Sequence, residues 1–286
     1  MKKTREELMQ VYDQTINACQ VGGYECKNGE WVDLESCKEG SRFYVTLPNT
    51  KDRPKKLFYE TKVYVQNIDT FQKAREMGPK CAVLNMASFQ RPGGGVDTGS
   101  RAQEEELCRR SNLLQSLYQY SPDKHGIFDY KAPKRFHYPI PMYGGIYSPN
   151  VTVFRHALSY TFLEEPFKCS VISVPAIKKP DFDRKTGLMT EKVVTILKGK
   201  IRAILRIALM HSHSKLVLGA WGNGSYGAPP KHTAIIFKEV LAEEEFQHVF
   251  EEICFAILED GNSLKNQEGG NIKPYSSVFE LKNERR

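Results

Sequence analysis

The chain has 286 residues, 40% hydrophobic and 26% charged, the proportions of a globular protein with a sizeable core. Lys and Arg total 41 against 34 Asp and Glu, a formal charge of +7 that suits an anionic ligand without amounting to a nucleic-acid coat. No run of about 18 apolar residues could span a membrane, and Arg5, Glu6 and Glu7 stand where a secretory signal needs an apolar stretch, so a cytoplasmic protein is expected. Cys19, Cys26, Cys37, Cys81, Cys108, Cys169 and Cys254 include no C-x-x-C pair, which argues for reduced thiols and against a structural zinc site.

Leu8, Val11, Tyr12, Ile16 and Ala18 recur at helical spacing, so residues 5–19 predict an amphipathic helix that Gly22 and Gly23 end. Strand-like runs FYVTL and KLFYE follow in mixed text, and residues 1–58 read as an N-terminal extension packed on the main domain. TKVYVQNI predicts a strand, DTFQKAREM a helix capped by Asp69, and CAVLNMAS a buried strand. A glycine-rich loop then leads into a helix, QEEELCRRSNLLQSLYQ, and residues 121–150, with five prolines, predict a long surface loop. VTVFRH, CSVISVPAI, KLVLGAW and ICFAILED read as further strands, with helices over VVTILKGKIRAILRIALMHS and residues 231–252. The tail from 261 to 286 reads as polar and loose. Apolar strands alternating with helices point to a three-layer α/β domain over 59–260.

Two glycine loops, each between a buried strand and a helix, should converge on one ligand crevice. Gly222-Asn223-Gly224-Ser225-Tyr226-Gly227 spells G-x-G-x-x-G, but no well-placed acidic residue follows about 20 residues later as a nicotinamide-dinucleotide site requires. A phosphate loop and a plain strand-to-helix turn are both open readings there. Gly93-Gly94-Gly95 precedes Gln103-Glu104-Glu105-Glu106, which brings consecutive carboxylates to the start of a helix. Such a pair could serve glycosidic cleavage, one as acid and base and the other orienting a ribose. A Glu run at a helix start is also what the helix dipole favours on a solvated face. At about 100° per residue, Glu105 lies opposite Leu114, so periodicity does not single it out. Cys108 reads as a buried thiol rather than a nucleophile.

The segment VLNMASFQRPGGGVDTGSRAQEEELCRRSNL, with IYSPNVTVFR, VISVPAI, LVLGAWGNGSYGAPP and FEEICFAIL, resembles the microbial-type poly(ADP-ribose) glycohydrolases over roughly residues 60 to 258. The resemblance implies a macrodomain, a three-layer α/β fold with a mixed central sheet. It also implies hydrolysis of the ribose–ribose O-glycosidic bond of ADP-ribose polymer, with chain ends the expected point of attack and with no metal and no cofactor. On this resemblance Glu105 is the general acid/base, Glu104 holds a ribose hydroxyl, Gln103 supports the turn and Asn85 is the distal-ribose asparagine. The N–H groups of Gly93, Gly94 and Gly95 would line ribose and diphosphate, those of Gly222 to Gly227 the diphosphate, and Tyr226 would pack over the terminal ribose. The family's second loop more often reads G-C-G, an apolar residue and G-N-D-P, where this chain has Asn223, Ser225 and Ala228-Pro229; Glu106 is an added acid expected to face solvent.

The expected partners are ADP-ribose and poly(ADP-ribose) or mono-ADP-ribosylated targets, with no membrane, no sequence-specific nucleic acid and a monomeric protein. A non-hydrolysing ADP-ribose-binding module and, less well supported, a nicotinamide-dinucleotide enzyme built on the Gly222 loop stand as alternatives.

Overall fold

The computed structural model describes residues 3–49, 58–130, 136–259, 263–266 and 268–279. Helix α1 (Arg5–Val21) opens the chain. The Thr4 hydroxyl accepts the Glu7 N–H while the Glu7 carboxylate accepts the Thr4 N–H, and Gly22 ends the helix at φ 77°. A hairpin of β1 (Gly23–Glu25) and β2 (Trp31–Asp33) and a short β3 (Arg42–Tyr44) follow. The expected KLFYE strand begins within residues 50–57, outside the described residues, and residues 58–60 are not strand. Strand β4 (Lys62–Gln66), helix α2 (Thr70–Met77) and strand β5 (Cys81–Asn85) come next, with the Asp69 carboxylate accepting the Gln72 N–H as the cap of α2.

The single helix expected from Gln103 is two, α3 (Gln103–Arg110) and α4 (Leu113–Leu117). Ser111 and Asn112 break it because both bond elsewhere. Ser111 bridges to Val153, and Asn112 accepts the Thr152 N–H on its side-chain oxygen and donates to Glu35 O. The proline-rich stretch begins with a 3-10 helix over Pro122–Ile127 and its last six residues open strand β6 (Gly145–Arg155); residues 131–135 are not described. Strand β7 (Phe162–Ser173), helix α5 (Glu191–Met210), strand β8 (Lys215–Leu218), helix α6 (Pro230–Leu241), strand β9 (Glu252–Ala256) and helix α7 (Ile272–Phe279) complete the chain. Helix α6 stops well before residue 252, and turns after it bury Phe246, Val249 and Phe250. Helix α7 lies where the sequence reads as a loose polar tail, held by its buried Tyr275 and Val278.

Two compact units make up the chain, Met1–Thr46 with Asn85–Pro175, and Leu47–Leu84 with Ala176–Arg286. In the first, β3, β6 and β7 pair antiparallel in that order, and α1 is tied in by the Thr15 hydroxyl, which donates to Arg109 O at 2.7 Å. In the second, β5, β8, β9 and β4 run parallel in that order, and Ile201, Ile204, Leu205 and Ala208 of α5 are solvent-inaccessible. The seven strands are of both senses and helices accompany them, the mixed α/β class expected. No helix of the described residues is long and apolar enough to cross a membrane.

Candidate active site

The first unit brings the Gly93 loop against the first turn of α3. Gly93 and Gly94 both take positive φ, 75° and 59°, a conformation that costs other residues about 1–2 kcal/mol. Gly94 has a second reason to be glycine: a Cβ there would lie 2.5 Å from Glu105 Oε1 and 3.2 Å from Glu104 Oε2. The loop is thereby folded onto the two carboxylates, which are buried at 3% and 8% exposure for Glu104 and Glu105. Helical spacing from Leu114 says nothing of the side on which Glu105 lies, because Leu114 belongs to a different helix.

The two glutamates are held differently. Glu104 accepts on both oxygens: Oε1 from the Asn85 amide at 3.3 Å and the Gly93 N–H at 3.2 Å, and Oε2 from the Ser88 N–H at 2.6 Å. Glu105 Oε1 takes the Gly95 N–H at 2.9 Å, while its Oε2 has no partner among the described residues although it is shielded from solvent. A buried carboxylate oxygen without a partner is costly, and such a cost is commonly retained where the atom has work to do. Burial pushes the Glu104 carboxyl up to about 8; the Ser88 N–H opposes this, the Glu105 charge adds to it, and the Asn85 and Gly93 donors oppose it. Cys108 is fully buried and its thiol is pushed far up by burial, so it is inert packing beside the pair, as expected.

Several expected contacts take another form. The N–H groups of Gly93 and Gly95 go to Glu104 and Glu105, and that of Gly94 to Arg91 O at 2.9 Å, so this loop spends its donors on the protein's own carboxylates instead of offering them to a ligand. Asn85 is fully buried: its amide nitrogen donates to Glu104 and to the Ser173 hydroxyl at 2.9 Å, and its oxygen has no partner among the described residues. Gln103 accepts the Met86 N–H at 2.9 Å. Glu106 points away from the pair but is not simply solvated. It bonds the buried Arg109 at 3.1 Å and accepts the Tyr160 hydroxyl at 2.6 Å, bracing α3 from behind.

The second unit carries the other glycine loop. Gly222 and Gly227 sit at φ 81° and 80°, and the loop closes on itself through Gly227 N–H to Gly224 O and Ala228 N–H to Gly222 O. Asn223 is turned inward and buried. Its amide nitrogen donates to Ala228 O and to the Thr233 hydroxyl, both at 2.9 Å, and its oxygen accepts the Tyr275 hydroxyl at 2.8 Å. Among the described residues nothing accepts from the N–H groups of Gly224 and Ser225, which are exposed. Tyr226 is half-buried, and its carbonyl accepts the Lys179 N–H at 2.9 Å. Sequence reasoning missed Ser88, Ser173, Thr233 and Tyr275. The first acts through its backbone, and the others carry no local signal of the loop they serve.

One carboxylate held by three donors beside another with a bare oxygen suits acid–base cleavage of a glycosidic bond, the chemistry of a glycosidase. A family model described as the microbial-type PARG catalytic domain matches residues 13–156, just over half of the chain. The chain therefore belongs to the microbial-type poly(ADP-ribose) glycohydrolase (PARG) family. It is similar to the crystal structure of PARG from Thermomonospora curvata, with a TM-score of 0.74 and 26% identity over 96% of this chain and 100% of that one. The same enzyme bound to the inhibitor ADP-HPD matches at a TM-score of 0.74 and 28% identity, over the same shares. PARG from Deinococcus radiodurans in complex with ADP-ribose matches at 0.63 and 29%, over 85% of this chain and 95% of that one. No curated protein sequence matches the chain.

Proposed function

We propose that the protein hydrolyses poly(ADP-ribose), cleaving the ribose–ribose O-glycosidic bond at chain ends and releasing ADP-ribose. The bare Oε2 of Glu105 carries this reading, together with the family and the PARG structures solved with ADP-ribose and with an inhibitor. In the proposed reaction Glu105 protonates the departing ribose oxygen as the C–O bond breaks, then takes a proton from the water that attacks the oxocarbenium-like carbon. Glu104 positions the sugar, using the side of Oε2 that the Ser88 N–H leaves open. The N–H groups of Gly224 and Ser225 hold the diphosphate, a backbone contact that adds nothing to net charge.

The test is a product assay on defined polymeric and mono-ADP-ribosylated substrates. Wild type is expected to release ADP-ribose from polymer, and Glu105→Ala to lower the rate about 10³-fold while leaving ADP-ribose affinity within a few fold. Wild type that binds ADP-ribose and releases none from polymer would make the protein a binding module. Release from the mono-ADP-ribosylated substrate alone would move the activity to those targets.

A further inference from the structure

Residues 176–190 run beside the second glycine loop and carry charge that the proposed reaction does not use. They fold into a tight hairpin: the Asp183 N–H donates to Leu188 O at 2.8 Å, the Thr190 N–H to Asp181 O at 3.0 Å, and Phe182 bridges to Met189. The Asp183 carboxylate is spent inside the turn, accepting the N–H groups of Lys185 and Thr186, both at 2.9 Å. Two bonds fix the hairpin to the ligand loop and its helix, Lys179 N–H to Tyr226 O at 2.9 Å and Met189 N–H to His232 Nδ1 at 3.2 Å. Ala176 lies so close that a Cβ on Gly222 would meet its Cβ at 3.0 Å.

The hairpin presents Lys178, Lys179, Arg184 and Lys185, all exposed and, among the described residues, in no ion pair. Three basic residues of the neighbouring α5 differ in this respect: Lys198, Arg202 and Arg206 pair with Glu239, Glu243 and Glu245. Phe182, 42% exposed, stands among the hairpin cations. Asp181 and Asp183 are its only acids, and one of them is tied into the turn. Unpaired cations around an exposed aromatic ring are the surface that binds single-stranded nucleotide polymers, the cations tracking phosphates and the ring stacking on a base. One diphosphate held by loop N–H groups leaves these cations surplus.

We infer that the hairpin over 178–189 is a second binding site, for the phosphates and adenine of an ADP-ribose unit flanking the one in the active site. The inference rests on the polymer reading above and names what would favour polymer over a single ADP-ribose. It is tested with a variant that replaces Lys178, Lys179, Arg184 and Lys185 by Ser, and with Phe182→Ser, all at exposed positions. Affinity for polymer of defined length and for ADP-ribose is measured across a salt series, together with kcat and KM for release.

The charge variant is expected to bind polymer about tenfold more weakly at low salt, with the log–log salt slope reduced by about 2 or more. Its ADP-ribose affinity stays within twofold, KM for polymer rises and kcat holds. Phe182→Ser is expected to weaken polymer binding severalfold without changing the salt slope. Unchanged polymer affinity and slope would overturn the inference, and so would an equal loss for ADP-ribose, which would assign the cations to the first site. A wild type that binds ADP-ribose but neither binds nor cleaves polymer overturns the polymer reading itself and the inference with it.

Discussion

The two glycine loops have similar compositions and opposite uses. At Gly93 to Gly95 the backbone donors are consumed by Glu104, Glu105 and Arg91 O, and the missing side chain at Gly94 makes room for the protein's own carboxylates. At Gly222 to Gly227 the interior is filled by Asn223, while Gly224 faces open space at an ordinary φ with its N–H and that of Ser225 undonated among the described residues. One loop is shaped around an anion the protein carries, and the other leaves two exposed N–H groups without an acceptor among the described residues. A glycine-rich loop after a buried strand is therefore not in itself a ligand cradle. What decides is where its N–H groups go.

The largest effect that could break this contrast is expected at Gly94. An added Cβ would be strained by φ 59° and would press on Glu105 Oε1, so Gly94→Ala must move either loop or acid. A small misplacement of a reacting group costs on the order of 10²-fold in rate. Release of ADP-ribose should fall by about that factor while ADP-ribose still binds. Activity within a few fold of wild type would show that the loop does not set the acid.

Gly224 offers the converse test. A Cβ there would meet nothing within 4 Å, so the free protein does not need this glycine. Gly224→Ala should leave Tm unchanged or slightly raised, since removing a glycine at a compatible position stabilises by about 0.4–1 kcal/mol. If the loop receives the diphosphate at close range, ADP-ribose affinity should nevertheless fall about tenfold. Unaltered affinity would remove this loop from the site. Tyr275→Phe comes next in size: it leaves the buried Asn223 oxygen unpaired, at about 1–3 kcal/mol of stability, and should weaken ADP-ribose binding severalfold with kcat unchanged. Calorimetric melting with titration of ADP-ribose reads both, and equal affinity in a destabilised variant would confine Tyr275 to packing.

Local signals carried much of this into the sequence. The Asp69 cap, the Gly22 stop and the strands in CAVLNMAS, KLVLGAW and ICFAILED are written in adjacent residues, and each appears in the structure where its neighbours imply it. The break at Ser111 and Asn112 is not legible, because its cause lies in Thr152 and Val153 of β6, some 40 residues away. In the candidate site, three glycines followed by Gln103, Glu104 and Glu105 drew attention to the carboxylates, but the different ways the two are held depend on backbone donors at Ser88, Gly93 and Gly95 that every sequence possesses and only the fold directs. Asn223 stood out as a departure from the family loop, yet its partner Tyr275 sits in a segment whose polarity suggested no structure at all.

The smallest effect concerns Glu104, and it too separates the loops, since the second encloses no carboxylate of its own. Burial raises the folded-state value of Glu104 from its ordinary 4.5 to about 8, so the native protein holds this proton over a range in which the unfolded chain has released it. The contribution to stability is then fully present below about 4.5 and is lost as pH rises through 8. Urea denaturation between these limits should show a falling unfolding free energy, by at most about 1.4 kcal/mol per pH unit from this one group. Glu104→Gln, which cannot titrate, should flatten that slope even if its overall stability is lower. A wild-type slope as flat as the variant's across this range, with stability lost only below about 4.5, would mean that the donors from Asn85, Ser88 and Gly93 outweigh burial and keep Glu104 ionised beside Glu105.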